Sequence, residues 1–278
     1  MKVITISRSY GSGGSLFGKR LAERLSFVYV DDKFIKYLKT DKKASEILLK
    51  TLEDEKPPDI TERYSELIHN KSYFKTALIV ALYNLILKKD VVVVGGGAHF
   101  ILEDYPAKIR IMVIRDINER VVDIMEEKGL TEEEAIELIH RKDREKKKFI
   151  DFYFDRDIND PSFFDIVFNA STVNLEDAVD IIEHYANKFF SNINAEEAKK
   201  IAGKRLLENR ARLAIIHHGL ASKSMVEFEA EAEDALIVKG IVGGIKEKEM
   251  LIKALWGLKG VNKIIDHLKT STLSKLIY

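Results

Sequence analysis

The sequence predicts an α/β protein, a five-stranded parallel sheet with helices on both faces, followed by a small α+β domain. Three observations carry this. Apolar runs rich in β-branched residues alternate with helical segments over residues 1–190, a glycine-rich turn joins the first run to the first helix, and the pattern changes after Ser191-Asn192-Ile193-Asn194. That polar stretch reads as a linker between domains at 1–192 and 200–278. At 278 residues the chain exceeds the commonest single-domain size, so a larger and a smaller domain fit its length.

Val3, Ile4 and Ile6 form the first strand, and Leu16, Leu21 and Leu25 then recur at helical spacing. Phe27-Val28-Tyr29-Val30 reads as a second strand ending in Asp31-Asp32, on the rim where doubly wound sheets bind ligands. From Lys33 to about Lys89 the pattern is helical, broken at Lys56-Pro57-Pro58-Asp59, with Asp59 or Thr61 able to cap a new helix. Phe74 to Leu87 is apolar almost all round and predicts a core helix. Asp90 to Gly97 holds a buried strand, Ile109 to Ile114 a fourth, and Asn118 to Lys128 a helix. Thr131-Glu132-Glu133-Glu134 is a capping-box pattern opening a helix that reaches the basic run from His140 to Lys148. Phe164 to Phe168 gives the fifth strand, and Asn174 caps the helix to Phe190. Beyond the linker follow a helix from about Ala195 to Gly219, strands at Met225–Ala232 and Ala235–Val242, a helix from Lys246 to Leu258 and a strand from Val261 to Leu268.

Composition excludes several classes. Acids and bases number 45 each, which argues against a protein that binds nucleic acid by global charge. The absence of cysteine removes disulfides, thiolate metal sites and cysteine nucleophiles together. No run approaches the roughly 18 apolar residues of a membrane span, and the first strand begins without a signal-like segment, so the expected compartment is the cytoplasm. His99, His140, His217 and His218 show no metal-ligand spacing, and Gly11-Ser12-Gly13 has the wrong spacing for a nucleophile elbow.

The chemistry concentrates in Arg8-Ser9-Tyr10-Gly11-Ser12-Gly13-Gly14-Ser15. Three glycines between a strand and a helix let backbone N–H groups turn on an anion at a helix N-terminus, which points to phosphate binding. The match to G-x-x-x-x-G-K-[ST] is partial: Gly13 and Ser15 fit, but Arg8 stands at the first glycine and Gly14 at the lysine. Ser15 keeps the hydroxyl that this motif offers to magnesium, and Arg8 is the nearest replacement cation. A dinucleotide-binding turn competes, since Gly11 and Gly13 begin G-x-G-x-x-G and Asp31 or Asp32 sits near the acidic ribose position, although Leu16 replaces the third glycine. Arg141 and Arg144, three apart on one helix, share a face and could close over phosphates as a lid; a solvated charged helix is the plain alternative.

Taken together, Ile4 to Gly14, Tyr29-Val30-Asp31-Asp32-Lys33, Val94-Gly95-Gly96-Gly97-Ala98, Gly129 to Ala135 and Phe164 to Ser171 resemble the cytidylate kinase-like family, in family order across about residues 1–190. The resemblance implies a nucleoside monophosphate kinase-like phosphate-loop fold that moves the γ-phosphate of ATP to CMP or a similar nucleotide with Mg2+. On this reading Arg8 and the amides of Gly11, Ser12, Gly13, Gly14 and Ser15 hold the donor phosphates, and Ser15 faces the metal. Arg141 and Arg144 act from the lid, and Asp32 lies beside the acceptor pocket. Gly96 and His99 stand where the family commonly has an arginine and an acid. About residues 205–269 resemble a BON domain, in Val238-Lys239-Gly240-Ile241-Val242 and Leu258 to Ile264. That implies a module binding a membrane, ligand or partner, with packing or dimerisation as the alternative. Two functions follow: a phosphotransferase, or a nucleotide-binding regulator without catalysis; a nicotinamide-binding protein is a third.

Overall fold

The computed structural model describes residues 1–31, 64–217, 220 and 225–271. The chain divides into two compact units, Met1–Asp59 with Lys88–Ala198 and Ile60–Leu87 with Lys199–Tyr278. Asp32, the proline break at residues 56–59 and the Thr61 cap lie outside the described residues.

In the first unit, β1 (Val3–Arg8), β2 (Val28–Val30), β3 (Val91–Val94), β4 (Lys108–Ile114) and β5 (Ile166–Asn169) form one sheet in the order β2-β3-β1-β4-β5. Every pairing is parallel, and Arg8 at the end of β1 stands opposite Val113. β1 is therefore central, with its connection to β2 leaving on one side and β4 lying on the other. This reversal opens a crevice beyond the strand ends, where α/β sheets bind ligands. Each of these strands is short and rich in Val and Ile because both faces of a parallel sheet are covered.

α1 (Gly14–Leu25) and α6 (Leu175–Ser191) cover one face. Phe17, Leu21 and Ala22 pack with Ile4, Ile6, Val92, Val94, Val179 and Ile182 in one buried cluster. Asn174 caps α6 by accepting from the Asp177 amide at 2.9 Å. Arg20–Glu176 and Arg24–Glu183 pairs link the two helices at the surface, where such contacts contribute little.

α2 (Tyr64–Ile86) belongs to the second unit, and Phe74, Ala77, Leu78, Ala81, Leu82 and Ile86 are buried in it. In the first unit, α3 (Ala98–Ile101) follows β3, α4 (Ile117–Lys128) follows β4, and α5 (Glu132–Phe154) leads to β5. Thr131 and Glu134 form the capping box at the start of α5. Ala135 and Ile139 of α5 pack on Val121 and Ile124 of α4, with Tyr10 against them. Strand β5 begins later than the apolar run suggests. Asp160 caps a 3-10 turn that carries the chain through Phe163, and the Phe164 amide still bonds to Pro161 O, so the ladder starts when Asp165 N reaches Arg110 O at 2.8 Å.

The second unit adds α7 (Ala195–His217), which crosses the boundary between the units, then β6 (Met225–Ala232), β7 (Ala235–Val242), α8 (Ile245–Trp256) and β8 (Lys263–Thr270). Its sheet runs β6-β7-β8, antiparallel then parallel. Leu207, Ala211, Phe228, Leu236, Val238, Leu251 and Leu255 share its core. β8 starts two residues beyond the expected Val261, because the Val261 amide closes a turn on Leu258 O before Asn262 and Lys263 donate to Asp234 O. Among the described residues no helix is long and apolar enough to cross a membrane.

His99 lies in α3, 5% exposed, its ring tilted against Phe100 and Phe164, and among the described residues Nε2 has no hydrogen-bond partner. Burial pushes its imidazole pKa down to about 3, and the charges of Lys146 and Arg110 act in the same direction. The folded protein holds this ring neutral, whereas the unfolded chain protonates it below about 6.5. Its contribution to stability is intact above that value and is lost as pH falls toward 3. Acidification from about pH 6.5 to about pH 5 should cost roughly 2 kcal/mol through this ring alone. Denaturant unfolding of His99→Leu should show that much less acid sensitivity than the unaltered protein; an unchanged slope would refute the assignment.

Candidate nucleotide site

The strand-turn-helix at the N-terminus builds the site. Ser9 N bonds back to Val113 O at 3.0 Å, so the chain leaves β1 while still tied to β4. Gly11 and Gly13 then adopt φ of 77° and 78°, a left-handed conformation that costs glycine little, and Gly13 is the N-cap of α1. The first N–H groups of α1 have no partner inside the helix, and its dipole adds positive potential there.

Gly14 explains the missing lysine. A Cβ placed on it would lie 2.5 Å from Arg8 Cβ and 3.3 Å from Val113 Cβ. The stem of Arg8 runs through the space that any side chain at 14 needs. With an arginine on the strand at 8, position 14 of the helix must therefore be glycine.

Two cavities share Arg8 and Ser9 in their walls. One, of about 320 Å3, is lined by residues 8–15 with Ile124 and Glu127. Arg8, Gly11, Ser12, Gly13, Gly14 and Ser15 are therefore brought together. Ser12 is 2% exposed and, among the described residues, its Oγ has no hydrogen-bond partner, the kind of orphaned donor an anion satisfies. Ser15 and Glu127 supply exposed hard oxygen donors at the same cavity, which fits Mg2+.

The second cavity, of about 210 Å3, is bordered by Arg8, His140, Arg144, Lys146, Lys147 and Asp143, with Met112, Ile158 and Asn159. Arg144 is thus placed with Arg8, but Arg141 is not. Arg141 lines a separate cavity with Lys128, Leu130, Glu134, Glu137 and Leu138. Three helical residues turn about 300° and rise about 4.5 Å, so the pair diverges by about 60° and only one of them faces the loop.

Sequence reasoning passed over four residues here. Lys146 is 9% exposed and donates from Nζ to Arg8 O at 2.8 Å. Asp143 accepts from Tyr10 N at 2.9 Å, and Arg120 donates to Tyr10 O at 3.1 Å and to Asp143 at 2.8 Å. Glu127 is the fourth. A signal existed for two of them. Ile139, Asp143, Lys146 and Ile150 recur at helical spacing, so Asp143 and Lys146 lie on the helix stripe that the buried isoleucines mark.

At the end of β3, Gly95, Gly96 and Gly97 have φ of 87°, 62° and 67°. No cation stands at 96, and the neighbouring His99 is neutral.

Among curated proteins no sequence matches the chain. An uncharacterized protein from Eubacterium ventriosum ATCC 27560 is 27% identical with a TM-score of 0.50, covering 67% of this chain and 98% of that one. Shikimate kinase from Bacteroides thetaiotaomicron is 16% identical at a TM-score of 0.38 over 67% of this chain and 98% of its own. A gluconokinase from Sinorhizobium meliloti 1021 is 12% identical at 0.41 over 69% and 94%. A model of the cytidylate kinase-like family matches residues 3–172, well over half of the sequence and the whole of the glycine loop, sheet and α5. The chain belongs to the cytidylate kinase-like family.

Proposed function

We propose that this protein transfers the γ-phosphoryl group of ATP to CMP or a related nucleoside monophosphate. The observation that carries the proposal is that Arg8 lines two cavities, one walled by the glycine loop and one by the cations of α5. The loop amides and the α1 dipole hold the donor phosphates. Arg8 and Arg144, with Lys146 and Lys147 beside them, spread positive charge over the group in transit. An acceptor phosphate oxygen forms a bond to the γ-phosphorus as the bond to the ADP oxygen breaks. Catalysis of such a transfer is mostly positioning and charge stabilisation. Ser15, with Glu127 close by, would hold Mg2+, which supplies further charge neutralisation to the donor phosphates. Arg141 keeps a supporting part, as an exposed lid arginine that reaches phosphates only through movement of α5.

The second reading is a regulator that binds nucleotide without transferring it. Gly14 and Gly96 favour it, since neither position carries a cation. The second unit serves either reading as a BON-like module for a ligand, membrane or partner. Its glycine at 240 is obligatory, because a Cβ there would lie 1.9 Å from Met225 O.

The discriminating experiment is ADP release from MgATP with CMP, dCMP, UMP, AMP and GMP in turn. Turnover with one acceptor supports the kinase; nucleotide-dependent stabilisation without turnover supports the regulator. Arg8→Ala should lower turnover by about a hundredfold or more and weaken ATP binding, the scale of losing one preorganised transition-state donor. Full activity in that variant would refute the role. Gly14→Ala forces Arg8 or Val113 to shift, so its turnover should fall while its stability drops by about 1–3 kcal/mol, read by steady-state kinetics and denaturant unfolding. Arg144→Ala should cost about a hundredfold and Arg141→Ala only about threefold, since Arg141 acts from screened solvent. Equal effects would show that α5 closes further over the loop than this structure places it.

A further inference from the structure

Tyr10 is where the chain turns from β1 into the glycine loop, and both of its main-chain polar groups are taken by side chains of the overlying helices. Its N–H donates to Asp143 Oδ1 at 2.9 Å, and its carbonyl accepts from Arg120 Nη1 at 3.1 Å. Arg120 Nη1 also donates to Asp143 Oδ2 at 2.8 Å, which closes a ring of three contacts around one residue. The Arg120 side chain is only 11% exposed. Two residues earlier, Lys146 Nζ holds Arg8 O at 2.8 Å. α4 and α5 therefore grip the entrance of the loop at Arg8 and Tyr10, and a Cβ placed on Gly11 would meet Ile124 at 3.4 Å and Arg120 Cβ at 3.6 Å.

The charges decide what this grip does. A carboxylate bordering an anion cavity repels phosphate, and a backbone amide committed to it is lost as an anion ligand. Arg120 cancels the first effect, and the second leaves the remaining loop amides to define the phosphate position. We infer that the Arg120–Asp143 pair is a positioning element for the nucleotide: it does not touch phosphate, but sets the shape of the loop and its distance from the Arg144-bearing face of α5. The inference rests on the nucleotide reading of the glycine loop.

Calorimetric titration of the full chain with MgATP tests it, with thermal melting of each variant alongside. Asp143→Ala should weaken MgATP by about tenfold, the scale of losing a charge-assisted hydrogen bond. Arg120→Ala should weaken it more, because it leaves the Asp143 carboxylate uncancelled beside the cavity. Asp143→Asn keeps an acceptor for the Tyr10 amide and should restore affinity to within about threefold of the unaltered protein. A merely anchoring pair would not give this rescue. Unchanged affinity in the alanine variants, or an asparagine variant no better than alanine, would overturn the inference while leaving the nucleotide reading intact. Should the alanine variants fail to melt cooperatively, Arg120→Lys carries the test. It keeps the charge, but its ammonium sits one bond short of the Nη1 that makes both contacts, so its affinity should fall severalfold, and an unchanged value would overturn the proposal. Absence of MgATP binding by the unaltered protein would overturn the nucleotide reading and this inference with it.

Discussion

One space beside the end of β1 can hold the stem of Arg8 or a side chain at position 14, and not both. The rest of the site depends on that exclusion. A cation rooted on the helix would ride with α1, whereas Arg8 is rooted on the central strand, paired opposite Val113 and held at its carbonyl by Lys146. Its base therefore moves only if the sheet or α5 moves. Gly14 is the complement of that arrangement, and it also lets the loop close tightly onto β4.

The second constraint is the continuity of α5. Twenty-three residues run without a break from the capping box at Thr131 to Phe154. Its first turns pack on α4 through Ala135 and Ile139, its middle reaches the loop through Asp143 and Lys146, and its last turns enter an aromatic cluster in which Phe154 lies 5.5 Å from Phe100. Ile139, Asp143, Lys146 and Ile150 follow helical spacing, so a single stripe changes from apolar to charged and back where it passes the loop. A shift of this helix therefore moves the loop entrance and Arg144 together. The cavity along the glycine loop and the cationic cavity share Arg8 and Ser9 in their walls.

Much of this was legible in the residues. The strands announce themselves because a parallel sheet buries both faces and so demands runs such as Val91 to Val94. The loop is legible because Gly11 and Gly13 have few other reasons to stand between a strand and a helix. The basic run concealed its contents, since nine residues of mostly charged character read as solvated surface. Only the flanking isoleucines reveal that Asp143 and Lys146 point inward. The Arg8–Gly14 exchange is visible as two departures from a motif, but their contact depends on how β1, β4 and α1 meet. The starts of β5 and β8 were misjudged for a common reason: apolar content marks burial, and Phe164 and Val261 are buried in turns rather than in ladders.

Charge is distributed unevenly around the loop, and the unevenness has a chemical consequence. On the α5 side, Arg144, Lys146 and Lys147 border the cavity that Arg8 shares. At the end of β3 there is Gly96 with a histidine kept neutral by burial. Among the described residues, the cations that border the cationic cavity besides Arg8 lie on α5. For the proposed phosphoryl transfer, cations placed on this side would favour the state in which negative charge spreads over the group in transit. The carboxylate of Asp143 does not offset these cations, because its charge is spent on Arg120 and the Tyr10 amide. The Arg120–Asp143 pair thus adds shape to the loop entrance without subtracting from the positive potential at Arg8.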